Sequence, residues 1–134
     1  MIVVDASALV AILLEEPEAG LFREFLLARP GAALSPIGYW EAAIRLRGAR
    51  GDHGVAELDV VIDQLRIKIA TATEGTTHLA CDAEKAFGKR TPAKLNLGDC
   101  FAYALAQELD APLLYKGGDF RQTDIRPALP VLPA

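Results

Sequence analysis

Ile2-Val3-Val4-Asp5-Ala6-Ser7-Ala8-Leu9 opens the chain, and the reading of this run decides the architecture. Three β-branched apolar residues in succession form a short strand buried on both faces, as strands of a parallel sheet are. Asp5 then stops the run, although an ionised carboxylate is costly to bury without a partner. Packing supplies no reason for an acid at that position, whereas a site at the carboxyl end of a strand does. Ser7 is placed to cap a helix over 8–14, so the run reads as the first strand–helix unit of an α/β fold.

The same alternation continues downstream. Glu15-Glu16-Pro17 breaks the first helix, and Pro17 starts a second with Glu18 in its positively polarised first turn. Leu21, Phe22, Phe25 and Leu26 repeat at helical spacing as its buried face, and Ala32-Ala33-Leu34 is a second strand. Ser35-Pro36, a cap followed by proline, opens a third helix with Ile37, Trp40 and Ile44 along its inner side. A fourth helix over 55–66 turns Leu58, Val61, Ile62 and Leu65 inward, and Ile67 to Ala70 form a third strand. A fifth helix covers 77–87, and a loop over 88–98 holds Lys89, Arg90 and Lys94. The sixth helix starts at Asp99, with Phe101, Ala102, Leu105 and Leu109 facing the core. Pro112 to Tyr115 are a fourth strand, Gly117-Gly118 a turn, and the proline-rich tail leaves room for one short edge strand near Val131. These elements predict a single domain over 1–134, with a central parallel sheet of four to five strands covered by helices on both faces.

Composition bounds the function. With 134 residues, 51% of them hydrophobic, the chain can bury a proper core and leave apolar surface for a partner. A formal charge of -4 argues against a generally basic nucleic-acid coat, but a basic stripe beside an acidic pocket is compatible with any total. Cys81 and Cys100 are too few for a disulfide framework or a zinc site, which favours a reduced cytoplasm, and Cys100 in an apolar helix reads as a core thiol. No basic flank precedes the first apolar run, and no apolar stretch is long enough for a membrane span. His53 and His78 lack ligand-pair spacing and are read as bystanders.

The chemistry rests on four acids. Asp5 ends one strand, and Asp119 follows another by four residues, so both point to the edge where parallel sheets place their binding crevice. Each of the others has a plain role when taken singly: Glu41 can pair with Arg45 one turn on, Asp99 can serve a helix start, and Asp119 can serve a turn. Together they behave differently. Two carboxylates about 5 Å apart repel by roughly 3 kcal/mol at an effective dielectric near 20. Three or four gathered at one edge persist only if some are protonated or a cation stands among them. Oxygen-only ligation favours Mg2+ or Mn2+ over zinc, and such an ion can activate water and neutralise a phosphate under attack. Ser7 can hydrogen-bond a carboxylate or a scissile phosphate.

The motifs Val4-Asp5-Ala6-Ser7-Ala8-Leu9, Tyr39-Trp40-Glu41-Ala42, Leu95-Asn96-Leu97-Gly98-Asp99-Cys100 and Leu114-Tyr115-Lys116-Gly117-Gly118-Asp119-Phe120 resemble the PIN-domain ribonucleases. More narrowly, the chain resembles the VapC toxins of bacterial toxin–antitoxin pairs, over nearly its whole length and in order. The resemblance implies a three-layer α/β/α PIN-like sandwich and a Mg2+- or Mn2+-dependent endoribonuclease. It maps the metal-site acids onto Asp5, Glu41, Asp99 and Asp119, with Ser7 at a supporting polar position. It further implies a homodimer and a VapB-type antitoxin whose C-terminal segment covers the active groove. The chain departs from the wider pattern at Lys116-Gly117, where a Ser or Thr is common, and at Gly118, where close relatives often carry an acid. Those departures leave it open whether Asp119 is a direct ligand, stands behind the direct ligands, or is engaged only by a second ion.

Expected phosphate contacts are Arg45, Arg47 and Arg50 on the third helix and Lys85, Lys89, Arg90 and Lys94 around the basic loop; the plain alternative is a solvated charged face. Tyr39 and Trp40 can stack on a base, although Trp40 has core spacing and is expected to be buried. Two competing functions use the same residues. A phosphoacceptor signalling module also places acids at strand ends, and Lys116 resembles its strand-end lysine, but Asp5-Ala6-Ser7 lacks the adjacent acidic pair. A catalytically silent PIN-like binding domain has no need to keep all four acids.

Overall fold

Val3 and Val4 are both fully buried, and consecutive strand residues face opposite ways, so this pair seeds two separate cores. In the computed structural model, which describes residues 1–130, they form β1 (Val3–Val4). The chain continues through α1 (Ala6–Leu13), α2 (Ala19–Ala28), β2 (Ala33–Leu34), α3 (Pro36–Arg50), α4 (Asp52–Gln64) and β3 (Lys68–Ile69). It ends with α5 (Glu74–Phe87), α6 (Leu97–Glu108), β4 (Leu113–Leu114) and a short 3-10 helix, Asp119–Gln122. The four strands form one parallel sheet in the order β3-β2-β1-β4.

The register explains the layers. Val3 lies level with Ala33 and Leu113, and these three pack against α5 and α6. Val4 lies level with Leu34 and Leu114, which pack against the apolar faces of α1 to α4. The result is the expected α/β/α sandwich. Each fully buried leucine of the larger core, among them Leu9, Leu26, Leu46 and Leu58, contributes about 1.5–3 kcal/mol by leaving water. The sheet has four strands among the described residues; Pro127 adds only an isolated parallel bridge to Leu113, and the edge strand expected near Val131 lies outside the described residues.

Several local expectations are corrected. Asp5, not Ser7, caps α1, because its extended backbone lets its carboxylate accept the Ser7 N–H. Pro17 lies in a turn, and Glu18 is the N-cap of α2 rather than a first-turn residue. Within α2 only Phe22 and Leu26 are buried. Helix α5 starts at Glu74 because Thr73 and Thr76 form a capping box, and α6 starts at Leu97 because Asn96 and Asp99 form another. Trp40 is 59% exposed: α3 packs its small face, Gly38, Ala42 and Ala43 with Leu46, and turns Trp40 and Ile44 outward. The inner face expected from apolar spacing is in fact the outer one.

Candidate active site

The chain lays down β1, β2 and β3 towards one edge and then crosses over to place β4 on the other side of β1. The direction of winding therefore reverses between β1 and β4, and a crevice opens beyond their carboxyl ends. Asp5 stands there because β1 ends and α1 begins at that residue. Its Oδ2 accepts hydrogen bonds from the Ser7 N–H (3.0 Å) and the Ser7 hydroxyl (2.6 Å). The Ser7 Oγ in turn accepts the backbone N–H of Lys116 at 2.9 Å. One hydroxyl thus ties the end of β4 to the end of β1, with its single proton committed to Asp5.

Asp99 reaches the crevice from the first turn of α6. Its Oδ2 accepts the Asn96 N–H at 3.0 Å, and the Asn96 Oδ1 accepts the Asp99 N–H at 2.9 Å. Glu41 enters from the second turn of α3 and lies directly against Gly98. A Cβ at position 98 would overlap the Glu41 carboxyl group, so the missing side chain is what lets this acid approach α6. Asp119 follows Gly117 and Gly118 and sits exposed at the start of the 3-10 helix.

Electrostatics show that the four acids share one field. Asp5, 5% exposed, has its pKa raised by burial, opposed by the Ser7 hydrogen bonds and reinforced by the charge of Asp119. Glu41 is pushed up to about 7, first by burial and then by Asp5 and Asp99, with Arg45 opposing. Asp99 is pushed up to about 6 by burial, with further upward pressure from Asp5 and Asp119 and relief from the Asn96 amide and Lys89. Among the described residues no three His, Cys, Asp or Glu side chains are already drawn in to ion-holding spacing, so the acids are gathered without being closed up. Their chemistry suits a hard divalent cation: all donors are carboxylate oxygens, and the charge of other acids adds to the rise of Asp5, Glu41 and Asp99.

Arg45 and Lys89 are exposed and oppose the charge of Glu41 and Asp99 respectively, so these two basic residues flank the cluster. Arg45 makes no ion pair with Glu41 within 4.0 Å among the described residues, so the helix pair acts only through charge at longer range. Arg90, Lys85 and Lys94 are exposed, and Lys89 donates to the Lys94 carbonyl at 3.3 Å, which braces the basic loop. Arg47 and Arg50 are already paired, with Asp52 and Glu57. His53 and His78 are exposed and lie beside acids one turn away on their own helices. Cys100 is buried and its thiol is pushed up to about 11 by burial, which suits a core thiol.

Lys116 turns away from the crevice to pair with Glu16 at 2.9 Å and Glu18 at 3.4 Å. A signalling module needs that ammonium beside its acceptor aspartate, so this side chain argues against the phosphoacceptor reading. Two residues without an assigned role matter to the site. Asn96 orients Asp99, and the spacing Asn96-x-x-Asp99 is the signal for it, a capping-box pattern. Gly98 makes room for Glu41, and nothing in the sequence reveals that contact.

The sequence matches the PIN domain family over residues 2–126. Ribonuclease VapC of Mycolicibacterium smegmatis is 40% identical over 124 residues, which cover 92% of this chain and 96% of that protein. Ribonuclease VapC30 of Mycobacterium tuberculosis is 38% identical over 92% of this chain and 95% of its own length. Among solved structures, VapC20 of Mycobacterium tuberculosis, a sarcin–ricin loop cleaving toxin, superimposes with a TM-score of 0.74 over 95% of this chain and 100% of that one. At 17% identity, that likeness speaks to the fold.

Proposed function

The chain belongs to the PIN-domain family, in its VapC branch, and from that premise we propose that it is a divalent-cation-dependent endoribonuclease, the toxin of a VapBC-type pair. The observation that carries this reading is the convergence of Asp5, Glu41, Asp99 and Asp119 on one crevice, each of the first three raised by burial and further by another acid's charge. A bound Mg2+, or Mn2+ in its place, supplies Lewis acidity at the scissile phosphate and makes water a better nucleophile. Asp5 and Asp99 would hold it first, since both carboxylates are already oriented by N–H donors of their own helix starts. Asp119 would complete the set from the exposed side.

The protein's own groups supply the rest. Glu41, near neutral in its pKa and free of hydrogen-bond partners among the described residues, takes the proton of the attacking water on its carboxylate. Ser7 keeps Asp5 in place by bridging it to Lys116. Arg45 and Lys89 receive the phosphates on either side of the cut, with Arg90 and Lys94 further along the strand. These contacts read no sequence, because they fall on the backbone.

A cluster that needs positive charge also explains how a VapB-type antitoxin inhibits: a basic side chain inserted among the acids satisfies the same field. The outward Trp40 and Ile44 on α3 support association of two copies into a homodimer. Among the described residues no helix is long and apolar enough to cross a membrane, and the action proposed is cytoplasmic. The test is cleavage of RNA by the purified protein in Mg2+, Mn2+ or EDTA, alongside Asp5→Asn and Asp99→Asn. Cleavage should require the cation and both acids; cutting that persists in EDTA, or in both variants, overturns the mechanism.

A further inference from the structure

We propose that the pocket between α5 and α6 receives one unpaired base of the RNA substrate, with guanine as the preferred occupant. The inference rests on the ribonuclease reading above and adds to it a source of sequence choice. The cavity is about 330 Å³ and mostly apolar, with Leu97 and Phe101 among its walls and Thr77, Glu84, Lys89 and Asn96 as its polar lining. Its size and its few placed polar groups are those of a site for a small flat ligand.

Location selects the ligand. Asn96 and Leu97 precede Asp99 in the same helical turn, so the pocket adjoins the acid cluster. Lys89 lines the pocket and its charge also reaches Asp99, so one cation serves both, and the phosphate joining a recognised nucleotide to the cut would pass near it. Leu97 is 67% exposed at the first position of α6, apolar surface that the fold itself does not use. Single-stranded RNA is read in this way: a splayed base lies against apolar and aromatic side chains, while its edge is read by hydrogen bonds.

Glu84 selects the base. Its carboxyl group lies against Gly88, where a Cβ would overlap it, and no Lys, Arg or His among the described residues pairs with it within 4.0 Å. An unpaired carboxylate at an apolar pocket accepts hydrogen bonds and offers none. Guanine presents two adjacent N–H donors, at N1 and N2, to both oxygens of a carboxylate; uracil presents one donor between two repelling carbonyls.

The test uses the full chain and a randomised single-stranded RNA pool, with the cut ends sequenced. Wild type should show guanine enriched at one fixed offset from the cut, and Glu84→Gln should reduce that enrichment by about tenfold or more. Alkylating the exposed Cys81 with N-ethylmaleimide should fill the pocket and flatten the same preference, while Cys81→Ser should be insensitive to the reagent. Both altered residues are exposed, and melting curves check that each variant folds. An unchanged cleavage profile in Glu84→Gln and in the alkylated protein overturns the proposal. If wild type cuts nothing, the ribonuclease reading fails by itself, and fluorescence anisotropy in EDTA with guanine- and uracil-bearing oligonucleotides decides the pocket. A Glu84-dependent guanine preference in binding then upholds it, and its absence ends it.

Discussion

Asp5 and Asp99 differ from Glu41 and Asp119 in how they are held. Asp5 caps α1 and Asp99 lies in the first turn of α6, each gripped by an N–H donor within three residues, so local backbone chemistry orients the carboxylate before any ion arrives. Neither of the second pair accepts a hydrogen bond from a described residue; they reach the crevice through the packing of α3 on α6 and through a turn after β4. The site therefore has a fixed half and an adjustable half. On the proposed mechanism, the fixed pair would set where a cation binds, and the adjustable pair would close on it or handle a proton.

The largest effect should separate the halves. Asp5→Asn and Asp99→Asn should each lower cleavage by more than about 100-fold, beyond what the loss of a supporting group costs, while Asp119→Asn stays within about 10–100-fold. Single-turnover cleavage rates decide this, and equal losses at all four positions would erase the distinction. Gly98→Ala probes the adjustable half from outside. Alanine favours helix over glycine by up to about 1 kcal/mol, so the melting temperature should hold or rise, yet activity should fall at least about tenfold because Glu41 is displaced. A fully active Gly98→Ala would remove Glu41 from the chemistry. Ser7→Ala probes the fixed half: it strands the Lys116 N–H and one lone pair of Asp5, at a cost of about 1–3 kcal/mol visible in urea unfolding. A variant as stable as wild type would mean that the bridge carries no weight.

The smallest effect is a pH dependence. Glu41 rises from its ordinary 4.5 to about 7 and Asp99 from 3.8 to about 6 on folding, so between those values the folded protein binds more protons than the unfolded chain. Stability from this source is fully present below about pH 4 and lost as pH rises through 6 and 7. The cation-free protein should melt a few degrees lower at pH 8 than at pH 5.5, with solvent screening of both half-buried groups keeping the shift small. Mg2+ should restore the difference at pH 8 and do little at pH 5.5. A flat or reversed profile would mean that neither burial nor the neighbouring acids raise these two carboxyl groups.

Much of this was legible in the sequence wherever the cause is local. Ile2 to Val4 ending in Asp5, Ser35 before Pro36, and the spacing of Leu58, Val61, Ile62 and Leu65 each specify an element through neighbouring residues, and the structure follows them. Parallel topology pointed Asp5 and Asp119 to one sheet edge, since both follow strands there, whereas only the family resemblance pointed Glu41 and Asp99 to the same site. Orientation about a helix axis was not legible where two faces compete. On α3, Trp40 and Ile44 make the stronger apolar stripe, but Gly38, Ala42 and Ala43 permit closer packing, and that small face won. The carboxyl of Glu41 against Gly98 was hidden for a related reason: it joins residues 57 positions apart through a contact that requires an absent side chain. Likewise, Lys116 is spent on Glu16 and Glu18, a pairing across 100 and 98 positions that no short motif announces.

On the proposed mechanism, four separated acids form one pocket that calls for a cation. Titrating Mn2+ calorimetrically into cation-free protein at pH 6.5, in two buffers of different ionisation heat, tests it most directly, because binding and proton release are read together. The expected result is a binding isotherm with net release of protons, as Glu41 and Asp99 give up theirs, and loss of both signals in Asp5→Asn and Asp99→Asn. Mn2+ binding that survives in both variants, or that releases no proton, would contradict it.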